Sequence, residues 1–472
     1  MSKKIYRVRA RYLDHEGRGV VSFNHSMIPV EGLLPGELGE ISLYRRKGET
    51  FGRLEALSEP SGQRQTQVCP YFEKCGGCQL WHMRYDAQLR FKQEQVAQLM
   101  GRDCTVLPVL GMESPLGYRH KVHATFGRGH GKKVIAGIYR EGSHELIQIH
   151  DCLIQNTAAN EVIAGICAAM EALNIAPYDE DTGRGLLRHV LIRVGHKTGQ
   201  MMVVLVVSRF QFPQSRALCS RLLESFPQIR SIVYSLNPYK TSMVLGREFK
   251  TIYGDGVIMD ELCGLKFLMS PSSFYQVNPA QTEILYTKAM EMAQITKNDR
   301  VLDTYCGTGT ISLIAAAYAK SVTGVEQNPS AVADANANAR NNHVKNVHFI
   351  CEDATKYMER VAVDFEGQSD YNVVIMDPPR SGSSPRFLKA LAKLAPHRVI
   401  YISCNPVTQK RDLTALCRDG YRIMKIQPVD MFPMTAGIEN IVLLQYAPRE
   451  SERQTHRPKG TARRPQRSEG RL

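Results

Sequence analysis

Asp303-Thr304-Tyr305-Cys306-Gly307-Thr308-Gly309 stands between a short apolar run, RVLD from residue 300, and a helix-like stretch, TISLIAAAYA from residue 310. A strand that enters a glycine loop and leaves as a helix puts that loop at the carboxyl edge of a parallel sheet, where glycines let the backbone approach a ligand closely. The pattern then repeats. SVTGVE (321–326) is followed by PSAVADANANARNN (329–342), and VHFICED, YNVVIMDPP and RVIYISC each precede a further helical stretch. Alternating strand and helix predicts an α/β, doubly wound parallel sheet. YRIMKIQPVDMF and ENIVLLQY have no helix between them. They are expected to form an antiparallel hairpin on the edge of that sheet.

Outward from this block the texture changes. Residues 1–60 read as five short strands broken by glycine and charge, which predicts a small barrel of the oligonucleotide-binding (OB) type. Residues 61–68, SGQRQTQV, read as a polar linker. A helical stretch from Tyr85 to Met100 follows. Beyond it come strands (KVHATF, VIAGIYR, LLRHVLIRVG, MMVVLVV, SIVYSLN) and two helices, Thr157 to Leu173 and Gln214 to Phe226. The resulting division is a barrel at 1–60, a central α+β domain at 61–260 and the doubly wound domain at 261–447. A basic tail at 448–472 holds eight Lys/Arg against three Glu and is expected to be disordered.

The 472 residues are 43% hydrophobic and 22% charged, proportions that exclude a wholly disordered chain. Sixty Lys+Arg against 46 Asp+Glu leave a net charge of +14, which favours a polyanionic partner, nucleic acid being the commonest. No stretch approaches the roughly 18 apolar residues of a membrane helix. The basic N-terminus has no apolar segment behind it, so a cytoplasmic protein without a signal peptide is expected. In that compartment thiols stay reduced, and the twelve cysteines read as core residues, metal ligands or nucleophiles.

Several residues carry chemistry. Glu326 ends the strand after the glycine loop, where an acid can bind both hydroxyls of a ribose. A dinucleotide fold has the same feature. The G-x-G spacing without a third glycine, together with the closing hairpin, favours S-adenosylmethionine over a nicotinamide cofactor. Asp353 and Asp377 end the next strands at the same sheet edge, and Asp353 is placed to accept from an adenine amino group. Ser403-Cys404-Asn405-Pro406 ends another strand, with Asn405 suited to cap a helix and Pro406 to start it. A thiol beside a helix N-terminus has its thiolate favoured. Cys69, Cys75 and Cys78, with Cys152, form a ligand-like set, and their spacing fits zinc or an iron–sulfur cluster equally. Tyr118-Arg119-His120-Lys121, Arg128, Lys132-Lys133, Arg184, Arg188 and Arg193 suit phosphate contact in folded RNA.

Four segments occur in one family's order: Gln276-Val277-Asn278-Pro279, Asp377-Pro378-Pro379-Arg380, Ser403-Cys404-Asn405-Pro406, and Asp430-Met431-Phe432-Pro433 with Glu439 downstream. From about residue 5 to 447 the chain resembles the RNA uracil-C5 methyltransferases. The resemblance implies a Rossmann-like class I methyltransferase domain, a TRAM barrel and a central iron–sulfur domain. It implies Cys404 as nucleophile and Glu439 as base, with Asp377 and Arg380 bordering the pocket. It implies S-adenosyl-L-methionine held by Gln276, Tyr305, Gly307, Glu326, Asp353 and Asp377. It also decides for a [4Fe–4S] cluster at Cys69, Cys75, Cys78 and Cys152. The expected partner is RNA, 23S rRNA first and the tRNA T-loop uridine second, acted on by a monomer without a membrane. A non-catalytic RNA-binding or ribosome-assembly factor is the alternative of another class. One departure is visible: the family usually has His two residues before the catalytic Glu, and here Gly437 stands there.

Overall fold

The computed structural model describes residues 4–66, 69–140, 143, 145–241, 243–364 and 370–447. The basic tail at 448–472 lies outside the described residues. Seven strands build the sheet that carries the glycine loop: β1 (Arg300–Thr304), β2 (Ser321–Glu326), β3 (Val347–Cys351), β4 (Val373–Met376), β5 (Arg398–Ser403), β6 (Tyr421–Val429) and β7 (Glu439–Tyr446). Their spatial order is β3-β2-β1-β4-β5-β7-β6. The first five are parallel, and β7 runs antiparallel to both β5 and β6. The expected terminal hairpin is present, and its second strand is the one inserted against β5.

Parallel strands covered on both faces read as continuous apolar runs rather than alternating ones. VVIM of β4 is buried throughout. Its residues alternate between two cores: Val373 and Ile375 face one, Val374 and Met376 the other. Leu191, Met202, Val204 and Val233 join the first of these cores from a separate sheet. That second sheet has seven strands, in the order Glu248–Tyr253, Ile229–Leu236, Met201–Val207, Leu187–Val194, Lys121–Arg128, Val134–Tyr139 and Leu146–Gln148. Helices Thr157–Ala172 and Ser215–Ser225 cover its other face. The N-terminal residues form a closed barrel of five strands between Tyr6 and Glu59. Among the described residues no helix is long and apolar enough to cross a membrane.

Two stretches sit elsewhere than the sequence division suggests. The polar segment after the barrel is tied to it. Arg64 reaches back to the fully buried Glu37 at 2.6 Å, and the amides of Ser61 and Leu34 donate to the same carboxylate. Those bonds hold the Glu37 carboxyl below its usual range even though burial pushes the other way. Helix Tyr85–Met100 packs on the sheet that carries the glycine loop, with Val96 and Met100 in its second core. Residues 106 and 110 then bridge to Ile426 and Val429, extending the sheet past β6.

Lys92 fastens this helix. Its Nζ lies 2.5 Å from Asp430 Oδ1, both side chains are fully buried, and it also donates to the Phe432 carbonyl. Tyr85 donates to the other Asp430 oxygen at 2.9 Å. Removing one partner of a buried pair leaves an uncompensated charge, a loss of about 3–5 kcal/mol. Lys92→Ala is therefore expected to lower the unfolding free energy by about that amount in a denaturant titration. A change under about 1 kcal/mol, the size of an exposed pair, would contradict this role.

Candidate active site

The carboxyl ends of the parallel strands converge on one edge. β1 runs into Tyr305, which adopts φ +67°, and the loop turns through Gly307 (φ +55°) and Gly309 (φ +80°). A Cβ at Gly309 would fall 2.6 Å from the Phe349 ring, so both backbone and packing require glycine there. At Gly307 the corresponding space is open, leaving the loop free to take a ligand against its backbone. Glu326, at the end of β2, accepts from the Gly307 amide at 3.2 Å and from the Asn328 amide at 2.8 Å. One acid thus orders both the glycine loop and its own turn, with lone pairs left for a diol. Asp353 caps the helix Ala354–Asp364 through the Lys356 amide at 3.0 Å. The Tyr305 ring packs against Phe387.

Register brings the two proposed reactive groups together. Ser403, the last residue of β5, pairs with Asn440 of β7, and just beyond that last pair Cys404 lies near Glu439. The Arg380 side chain lies near the thiol and favours its charged form. The Arg380 carbonyl accepts from Asn405 Nδ2 at 3.1 Å and from Thr408 Oγ1 at 3.0 Å, locking the loop after β4 to the loop after β5. On the opposite side, Asn278 donates to the Met431 carbonyl and Gln281 to the Asp430 carbonyl, each at 3.0 Å. The four motif segments are therefore bonded to one another in pairs. His120 joins them from the second sheet, its amide donating to the Val277 carbonyl at 2.8 Å.

Asn405 caps the helix Pro406–Arg418 as expected, its side chain accepting from the Val407 and Thr408 amides. The Cys404 thiol differs from the sequence expectation, and burial is the first reason. The amides that would favour a thiolate at Cys404 are already engaged. Burial pushes the Cys404 thiol up, the Glu439 carboxylate pushes it further, and Arg380 only partly opposes them. Glu439 is buried, and its Oε2 has no hydrogen-bond partner. Burial raises its carboxyl well above the usual range, with Asp377 acting the same way and Arg380 opposing. Burial raises Asp377 as well, and raises Asp303 to about 7. Titratable groups with perturbed protonation gathered in one pocket mark it as a candidate reactive site.

Tyr286 is a site residue that the sequence did not reveal. It is 4% exposed and lies near Gln276, Asp377, Glu439 and Asp303. Its position in an apolar helical pattern gave only the signal of a core residue. Gly437 departs from the expected His, yet its φ is not left-handed and a Cβ would meet only Phe432 and Thr435, at 3.3 and 3.4 Å. Glu439 still begins β7 beside Cys404.

Two expected phosphate contacts do not hold. Arg188 and Arg193 are 1% and 2% exposed in a fully buried strand. Arg188 pairs with Glu180 and with the Asn237 and Tyr239 carbonyls, and Arg193 donates to the Pro271 and Ser273 carbonyls. Arg128, Lys133 and Arg184 remain at the surface.

Cys69, Cys75, Cys78 and Cys152 converge. Cys69, Cys78 and Cys152 border one apolar cluster, and burial first, then the neighbouring thiols, pushes Cys78 up to about 12. Among the described residues, no three or more His, Cys, Asp or Glu side chains form a group that could hold a metal ion.

Residues 259–447 match the family model described as tRNA (Uracil-5-)-methyltransferase. Over 444 residues the chain is 41% identical to an uncharacterized RNA methyltransferase of Halalkalibacterium halodurans, covering 92% of this chain and 95% of that relative. A second, from Oceanobacillus iheyensis, is 41% identical over 448 residues, with 93% and 96% covered. Among solved structures, the Pyrococcus abyssi tRNA (uracil-54, C5)-methyltransferase in complex with S-adenosyl-L-homocysteine is similar, with a TM-score of 0.75 and 28% identity. The similarity spans 93% of this chain and 99% of that one.

Proposed function

This chain belongs to the RNA uracil-5-methyltransferases, S-adenosylmethionine-dependent enzymes, and on that premise we propose that it methylates carbon 5 of a uridine in 23S rRNA through a covalent adduct at Cys404. The observation that supports this mechanism is the nearness of Cys404 and Glu439 where the β5–β7 pairing ends.

Carbon 5 of uracil is too weakly nucleophilic to take a methyl group from a sulfonium directly. The Cys404 thiol loses its proton to solvent with Arg380 stabilising the thiolate, and the sulfur bonds carbon 6. The displaced π electrons move into an enolate, and carbon 5 then takes the methyl group, leaving a neutral thioether. Glu439 removes the proton from carbon 5, the double bond re-forms, and Cys404 leaves as thiolate. Gln276, Tyr305, Gly307, Glu326, Asp353 and Asp377 line the methyl-donor side. The target base must leave its stack to reach Cys404. Phe274, 64% exposed and two residues before Gln276, offers it an aromatic platform.

The N-terminal barrel is read as a TRAM-type RNA-binding domain, with residues 61–260 as a central domain between it and the catalytic one. The four converging thiols are read as ligands of a [4Fe–4S] cluster. A four-thiolate set suits it chemically, and it would brace the segment around Cys78. Protein purified anaerobically is then expected to be brown, with about four irons per chain. One zinc per chain without iron would overturn the cluster.

The choice of 23S rRNA leans on the barrel and the Cys69, Cys75, Cys78 and Cys152 set. A second reading, the tRNA T-loop uridine, is favoured by the archaeal tRNA enzyme, whose similarity extends over 93% of this chain and so leaves little room for the barrel as a discriminator. Mapping 5-methyluridine in RNA from a deletion strain decides. Loss from 23S rRNA supports the first reading, and loss confined to tRNA supports the second.

A further inference from the structure

Glu439 has no side-chain bond that fixes Oε2, so its position is set by the backbone that delivers it. That backbone is the loop from β6 to β7, and Met434 is where the loop is fastened. Met434 has φ +66°, a left-handed conformation that a non-glycine residue keeps only when its surroundings impose it. Residues 79–88 impose it. The Met434 carbonyl accepts from the Gln79 and Leu80 amides at 3.1 and 2.9 Å. Its own amide donates to Gln88 Oε1 at 3.0 Å, and Gln88 Nε2 donates to its sulfur at 3.2 Å. The Leu80 and Met83 carbonyls share the two N–H groups of the same Nε2, so Gln88 touches both sides of the joint. The Met434 side chain, 4% exposed, packs in a cluster with Trp81, Tyr118 and Ile154 that Cys69, Cys78 and Cys152 border. On either side, Tyr118 donates to the Pro433 carbonyl at 3.0 Å, and the Ala436 amide donates to Gln79 Oε1 at 3.4 Å.

We propose that Met434 is a positioning residue through which the segment from Cys78 to Gln88 sets the place of Glu439, and with it the rate of proton removal from carbon 5. Cys404 follows a different strand, β5, and stands beside the Asn405 cap, so the earlier steps do not depend on this joint. The inference rests on Glu439 as the base.

The test uses full-length enzyme, unmethylated RNA from a deletion strain and labelled S-adenosylmethionine. Met434→Gly accepts the left-handed backbone but empties the packed cluster. Met434→Leu keeps the volume. Met434→Gly is expected to slow turnover roughly ten- to hundredfold, the effect of a misplaced reacting group, while methylated protein–RNA adduct accumulates on denaturing gels. Met434→Leu should restore both toward wild type. Gln79→Ala, a milder change at a part-exposed residue, should accumulate adduct with a smaller loss of rate. Slow turnover without adduct in both Met434→Gly and Gln79→Ala overturns the proposal, as does unchanged turnover in Met434→Gly. Glu439→Gln, run in parallel, separates the two ideas. If it traps adduct and the positioning variants do not, only the positioning role fails. If it traps none, the assignment of the base fails and takes this proposal with it.

Discussion

Cys404→Ala is expected to abolish methyl transfer, by a factor on the order of 10⁴ or more, the scale on which a covalent enzyme loses rate without its nucleophile. The alanine leaves the Asn405 cap and the β5–β7 ladder intact, because neither uses the thiol. The nucleotide loop is held by Glu326 and its own glycines, so affinity for S-adenosylhomocysteine should stay near wild type. RNA should also bind, without forming an adduct. Turnover within tenfold of wild type in the purified variant would remove Cys404 from the mechanism.

Glu439→Gln separates the base from the nucleophile. The substitution is close to isosteric, and the carboxyl it replaces has one oxygen without a partner in a buried site. A neutral amide also removes the carboxylate that raises the Cys404 thiol, so addition to carbon 6 should not be slowed. Methyl transfer should follow. Release should then stall, since expulsion of the thiolate needs the proton on carbon 5 gone. The expected result is a methylated protein–RNA adduct that survives denaturing gels, with turnover reduced roughly a hundredfold or more, the scale of losing a general base. Normal turnover, or lost turnover with no methylated adduct, would assign the base to another group. Asp377, buried in the same pocket, would be the first to test.

The alternation of strands and helices was legible because apolar runs and caps are local. Asn405 and Pro406, the end of β2 at Glu326 and the glycine loop all lie within a few residues of what defines them. What depended on sheet assembly was not legible. A terminal hairpin could be expected, but not that its second strand would insert against β5 and carry Glu439 to Cys404. Arg188 and Arg193 read as surface charge because a count of basic residues does not reveal a strand buried on both faces. The thiol at Cys404 read as activated by a helix terminus. Burial first, then the Glu439 and Asp377 carboxyls, reverses the direction. Lys92 and Asp430 are 338 positions apart, and no spacing rule connects them.

The covalent route at Cys404 is tested most directly with RNA in which 5-fluorouridine replaces uridine. Fluorine on carbon 5 cannot leave as a cation, so no base can complete the final elimination. The wild-type enzyme is predicted to stop as a one-to-one adduct, with mass spectrometry of its digest placing a methylated 5-fluorouridine on Cys404. A trapped nucleotide on any other residue, or fluorinated RNA that leaves the enzyme unmodified at Cys404, would contradict it.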